Sequence, residues 1–141
     1  LYQEIKPYLT GENFMCLKNK TSFGAKLNKM DNKTYPLRRE VINVLYEIKR
    51  RGFNIPRLEV RIVNGGESDF CGYAYMNENI IHIKEDYITA DKNKLTHIVL
   101  HEVLHAVLGI GHNNDCYLMN YCVPDGTINI NKTWESFAKY F

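Results

Sequence analysis

From Pro36 to Arg51, Leu37, Val41, Leu45 and Ile48 recur at helical spacing, which predicts a helix with one buried stripe. Pro36 suits its first turn and Gly52 its stop. Next, Leu58, Val60 and Ile62 alternate with Glu59 and Arg61, the pattern of a strand with one buried face, and Gly65-Gly66 ends it. A second strand is predicted near Phe70 to Tyr75 and a third over Ile80 to Ile83, joined by a polar, tight hairpin loop at Met76 to Asn79. From about Lys92 to Leu108 a strongly apolar helical pattern carries Leu95, Ile98, Val99, Val103, Leu104, Ala106, Val107 and Leu108. A last helix is predicted near Thr133 to Tyr140, with Trp134, Phe137 and Ala138 inward. Residues 1 to 34 carry less pattern, and an early strand is expected near Phe14 to Leu17. Helix, strands, helix and helix in that order imply an α+β fold.

Composition narrows the classes. The 141 residues fit one domain, residues 1–141, around one core, and 45% are hydrophobic, as a folded protein requires. No apolar run approaches 18 residues, so no membrane span is expected. A net charge of +2 is too small to imply nucleic acid. Lys49-Arg50-Arg51 is accounted for by the negative end of the helix dipole. Leu1 opens the chain without a signal-peptide pattern, which fits a mature or trimmed fragment. The four cysteines, Cys16, Cys71, Cys116 and Cys122, allow two disulfides in three pairings. Cys116 with Cys122 could staple the segment between them, leaving Cys16 with Cys71. The alternative is four free thiols in a reducing compartment. An extracellular location is the slightly favoured expectation.

The chemistry lies at residues 101 to 112, His-Glu-Val-Leu-His-Ala-Val-Leu-Gly-Ile-Gly-His. His101 and His105, four apart in a helical pattern, lie on one face about one turn apart and can share one zinc ion. Glu102 stands beside the first ligand, where it can take a proton from water on the metal. His112 follows Gly109 and Gly111 and can fold back as a third ligand. Three protein ligands leave the fourth position open, as a catalytic zinc site needs. His97 lies on the same stripe, about 12 Å from His105 along the axis, too far to share the ion. It is read as a helix-start or surface histidine. Glu135, from the last helix, is an alternative third ligand of the gluzincin type, although no accompanying motif supports it.

The extended motif resembles that of the metzincin zinc endopeptidases, H-E-x-x-H-x-x-G-x-x-H followed by a methionine-containing turn. One residue is added here, between His105 and Gly109. Inside a helix it rotates the residues after it by about 100° unless a π-bulge or a re-aimed turn absorbs it. Met119 in Tyr117-Leu118-Met119-Asn120-Tyr121 resembles the Met-turn that floors the metal, and Asn113-Asn114-Asp115 resembles the polar linker of matrixin-like members. Tyr121 stands two residues after the Met, as in astacins and serralysins.

The resemblance implies a metzincin-like, zincin-like catalytic domain: a twisted mixed β-sheet, an active-site helix, a Met-turn and a C-terminal helix. It implies one catalytic Zn²⁺ on His101, His105 and His112, with Glu102 as general base. It gives Tyr121 the role of an oxyanion donor. Gly72-Tyr73-Ala74-Tyr75 becomes the sheet-edge strand that binds an extended peptide. The loop from Cys122 to Gly126 walls the pocket for the side chain after the scissile bond. The expectation is a monomeric zinc endopeptidase acting on peptide or protein substrates. The rivals are a gluzincin-type peptidase using Glu135, a non-catalytic binding module that keeps zinc for stability, and an intracellular processing protease with free thiols.

Overall fold

A computed structural model describes residues 35–63, 71–88, 91–121, 123–124 and 126–141. The strand expected near Phe14 to Leu17 lies outside them. The described part is a small α+β unit in which a three-stranded mixed sheet packs against helices.

Helix α1 spans Tyr35–Arg50 and buries Val41, Val44, Leu45 and Ile48 on one face. Lys49 and Arg50 occupy its last turn, where the helix dipole favours cations. Gly52, at φ 93°, lets the chain turn, and Phe53 N–H returns to the Ile48 carbonyl at 3.2 Å. Strands β1 (Glu59–Val63), β2 (Gly72–Tyr75) and β3 (Ile80–Lys84) form a sheet of order β1-β3-β2. β1 runs parallel to β3, with Val60 opposite Ile81. β2 runs antiparallel to β3, with Ala74 opposite Ile81. Period-two alternation sends Val60, Ile62, Ala74, Ile81 and Ile83 into one core with α1 and the central helix. Burying each such branched side chain contributes about 1.5–3 kcal/mol.

A short helix α2 (Glu85–Ile88) follows β3, an element that the hydrophobic pattern did not predict. The central helix α3 (Lys92–Val103) starts at Asp91, whose carboxylate accepts the Asn93 N–H at 2.8 Å. Every residue from Leu95 to Leu100 is buried, as expected for a helix with elements packed on several sides. At Leu104 the helix widens into a π-helical turn, Leu104–Leu108, which Gly109 ends at φ 65° in the left-handed conformation. Helix α4 (Ile130–Ala138) starts three residues earlier than Thr133, because Asn129 caps it by accepting the Lys132 N–H at 3.1 Å. Trp134 and Phe137 are buried against Phe53. Ala138 is exposed rather than inward. No helix among the described residues is long and apolar enough to cross a membrane.

Candidate metal centre

The end of α3, the π turn and the segment after Gly109 bring three histidines together. The Nε2 atoms of His101 and His105 lie 3.0 Å apart, those of His101 and His112 3.1 Å, and those of His105 and His112 3.2 Å. Nitrogens about 2.0–2.1 Å from one tetrahedral ion lie about 3.3–3.4 Å from each other, so the trio fits a single metal within a few tenths of an ångström. Among the described residues these three form the group able to hold a metal ion.

The backbone fixes which nitrogen faces the centre. His101 Nδ1 lies 2.7 Å from the Leu118 carbonyl, and His105 Nδ1 lies 2.5 Å from the Ile110 carbonyl. A carbonyl can only accept, so each Nδ1 carries the proton and each Nε2 offers a lone pair. Lone pairs aimed at one another across about 3 Å repel unless a cation stands between them. Electrostatics point the same way. Burial depresses all three imidazoles below the ordinary value of 6.5, His101 to about 4, His105 to about 2 and His112 to about 3. They are therefore neutral at pH 7, the form that binds a metal.

A π turn, Leu104–Leu108, leads from His105 toward Gly109. Gly109 N–H then reaches the His105 carbonyl at 3.1 Å, and Ile110 N–H reaches that of Leu104 at 3.1 Å. This closure turns the Ile110 carbonyl back onto His105 and brings His112 to the cluster.

Glu102 is buried at 4% exposure. Its Oε2 lies 3.4 Å from where a Cβ on Gly72 would stand, so the carboxylate faces the start of β2. That Cβ would also meet the His82 carbonyl at 2.5 Å, so only glycine fits there. Tyr121 is 53% exposed, with its ring 5.5 Å from that of His112. Met119 is fully buried, and its carbonyl accepts the Asn113 N–H at 2.8 Å, which closes the loop that presents Leu118 to His101. β2 is one of the two edge strands among the described residues, yet Tyr73, Ala74 and Tyr75 are each at most 3% exposed. Gly72, at the start of that strand, lies beside the Glu102 carboxylate.

Several expectations need correction. His97 is neither at the helix start nor on the surface. It is buried within α3, and its Nδ1 lies 2.8 Å from Thr133 Oγ1 on α4. Glu135 is exposed on α4 and outside the histidine group, so the structure does not bring it to the cluster. Cys71 and Cys116, one from each candidate pair, are free thiols, while Cys16 and Cys122 lie outside the described residues. Cys116 Sγ instead accepts from the Met119 N–H at 3.4 Å and the Tyr140 hydroxyl at 3.6 Å.

Sequence reasoning missed the groups that orient the ligands. The carbonyls of Leu118 and Ile110 carry no side-chain signal. The loop Met76–Asn79 does, because Asn77 and Asn79 are residues that tolerate positive φ. Comparison of the chain with protein-family models, with curated proteins and with solved structures finds no match, so the site stands on its own geometry.

Proposed function

We propose that this chain is a zinc-dependent endopeptidase of metzincin-like design. The observation that carries the reading is the convergence of three neutral imidazoles, His101, His105 and His112, with Glu102, the residue after the first of them, a buried carboxylate on the same helix. An all-imidazole set suits zinc, and three ligands leave a coordination position for substrate chemistry. Zinc, when bound, supplies Lewis acidity and makes water a nucleophile near neutral pH.

The remaining work falls to the chain. Glu102 takes a proton from the attacking water and passes it to the departing amine. Burial beside Gly72 keeps the carboxylate out of bulk water. Tyr121, exposed and next to His112, is free to donate its hydroxyl proton to the oxyanion that develops on the scissile carbonyl. The peptide is proposed to approach at the Gly72 end of β2. Tyr73 and Ala74 are too buried to pair with a peptide without local displacement. Met119 and the loop that carries it act as the Met-turn, holding the Leu118 carbonyl on His101.

The test pairs zinc titration of the apo chain with a peptide-cleavage assay. One zinc per chain is expected, with hydrolysis that a chelator abolishes. Glu102→Gln is expected to bind zinc normally and lose about 10²- to 10⁴-fold in turnover. Full turnover in Glu102→Gln would overturn the mechanism. Zinc binding with no hydrolysis in the unaltered chain would favour the binding-module reading.

A further inference from the structure

The widened turn that carries His105 is braced from outside its own helix. His105 has two backbone tethers: its carbonyl accepts the Gly109 N–H at 3.1 Å and the Asn77 N–H at 3.2 Å. The next carbonyl, that of Ala106, accepts the Asn79 N–H at 3.1 Å. Both donors belong to the loop between β2 and β3, and both residues hold positive φ, 59° at Asn77 and 57° at Asn79. That conformation aims two N–H groups, from residues two apart, at successive carbonyls of the turn. The loop is itself anchored, since the Asn79 carbonyl accepts the Glu59 N–H at 2.9 Å from β1, and the Glu78 N–H bonds the Tyr75 carbonyl at 3.1 Å. The Asn77 side chain lies against Gly109, where a Cβ would stand 2.5 Å from Nδ2.

The physical need is specific. The last carbonyls of a helix have no partners within it, and a π turn is seldom stable by itself. Here the sheet's hairpin supplies the missing donors. Because the Gly109 closure also directs the Ile110 carbonyl to His105 Nδ1, whatever holds the turn sets the direction of His105 Nε2.

We propose that the hairpin loop Met76–Asn79 is a positioning element of the metal centre: Asn77 and Asn79 hold the π turn in the register that aims His105 at the metal. This rests on the metal-site reading above. Neither asparagine touches the metal or the substrate. Their contribution is the left-handed backbone, which glycine shares and alanine resists.

The experiment compares Asn77→Ala/Asn79→Ala with Asn77→Gly/Asn79→Gly, using cobalt(II) as an optical stand-in for zinc. Affinity and the visible spectrum of bound cobalt are read alongside the thermal midpoint of the apo chain. Alanine disfavours each left-handed position by roughly tenfold, so the alanine pair is expected to bind cobalt at least about tenfold more weakly and with an altered spectrum. The glycine pair is expected to stay within about threefold of the unaltered chain, with its spectrum. An alanine pair with a lowered thermal midpoint but unchanged affinity and spectrum would overturn the proposal and leave the loop a merely structural brace. If the alanine pair does not fold, Asn77→Ala alone carries the same comparison. If the unaltered chain binds no cobalt or zinc, the metal-site reading fails. The loop's role is then read in the apo protein from the His105 Nδ1 proton by NMR. That proton is expected to be protected in the unaltered chain and the glycine pair and exposed in Asn77→Ala, and equal protection in all three would overturn the proposal.

Discussion

In its metal-free form this fold should be acid-sensitive in a window set by its histidines. Four of the five histidines titrate well below 6.5 in the folded chain: His97 and His101 at about 4, His112 at about 3 and His105 at about 2. Burial is the main cause in each. Between pH 6.5 and 4 the unfolded chain binds protons that the folded chain refuses, so stability rises with pH and falls on acidification. At pH 5 the unfolded form of one such histidine is protonated and the folded form is not, which costs about 2 kcal/mol relative to pH 7. His97 alone therefore removes about 2 kcal/mol, and His101 and His105, which touch and titrate as a pair, add to the loss in the same direction. His112, which is partly exposed, adds less. The assay is urea unfolding of the chelator-treated chain at pH 7.5, 6.5, 5.5 and 5.0, above the range where carboxylates dominate. An apo chain whose unfolding free energy stays level across these points would refute the burial argument. His97→Gln should retain its place beside Thr133 and flatten the slope by about one proton's worth.

Metal removal and ligand loss obey the same geometry. His101→Ala or His105→Ala should abolish stoichiometric zinc binding, measured by metal analysis after gel filtration, while the apo fold persists at pH 7.5. Tyr121→Phe should fold and bind zinc normally and lose mainly kcat, by about tenfold up to the 10²- to 10³-fold typical of a lost oxyanion donor. An unchanged kcat would make Tyr121 a ring packed on His112 and nothing more.

Much of the architecture was legible because hydrophobic periodicity reports burial directly. Val41, Leu45 and Ile48 marked α1, the Val60/Ile62 alternation marked β1, and the hairpin loop at Met76 to Asn79 fell where predicted. The His101–His105 pair was legible because helical spacing converts sequence distance into facing side chains. The pattern could not carry tertiary contacts. His97 looks like a surface residue until Thr133 arrives from α4 to bond it. Glu135, an alternative ligand that no motif supported, is carried on the exposed face of α4. β2 lies at a sheet edge as expected, but that Tyr73 and Tyr75 are buried alongside Ala74 was not legible, since alternation along four residues does not tell which faces are covered. The groups that orient His101 and His105 are backbone carbonyls, which every residue possesses and no sequence pattern marks.

The π turn offers the sharpest remaining test, because it separates the length of the segment from its chemistry. Residues Leu104–Leu108 hold one residue more than an α-helical path from His105 to Gly109 needs if the spacing of the metzincin motif is the reference. If the turn only absorbs that residue, deleting Val107 should let the helix run on in α geometry to Gly109. The left-handed stop, the Gly109-Ile110-Gly111-His112 return and the histidine trio should survive. Val107 is partly buried, so its loss costs some packing and lowers the thermal midpoint. The expected result is zinc affinity within about tenfold of the unaltered chain, together with a less stable fold. Inserting an alanine after Val107 makes the opposite change. A turn already widened once has no further register to give, and His112 should be carried about 100° away from the cluster with loss of the metal. Both are read by zinc competition against a chromophoric chelator. If the deletion loses zinc and the insertion keeps it, the turn does not absorb an extra residue, and the His105–Gly109 spacing of this chain is a requirement of its own site.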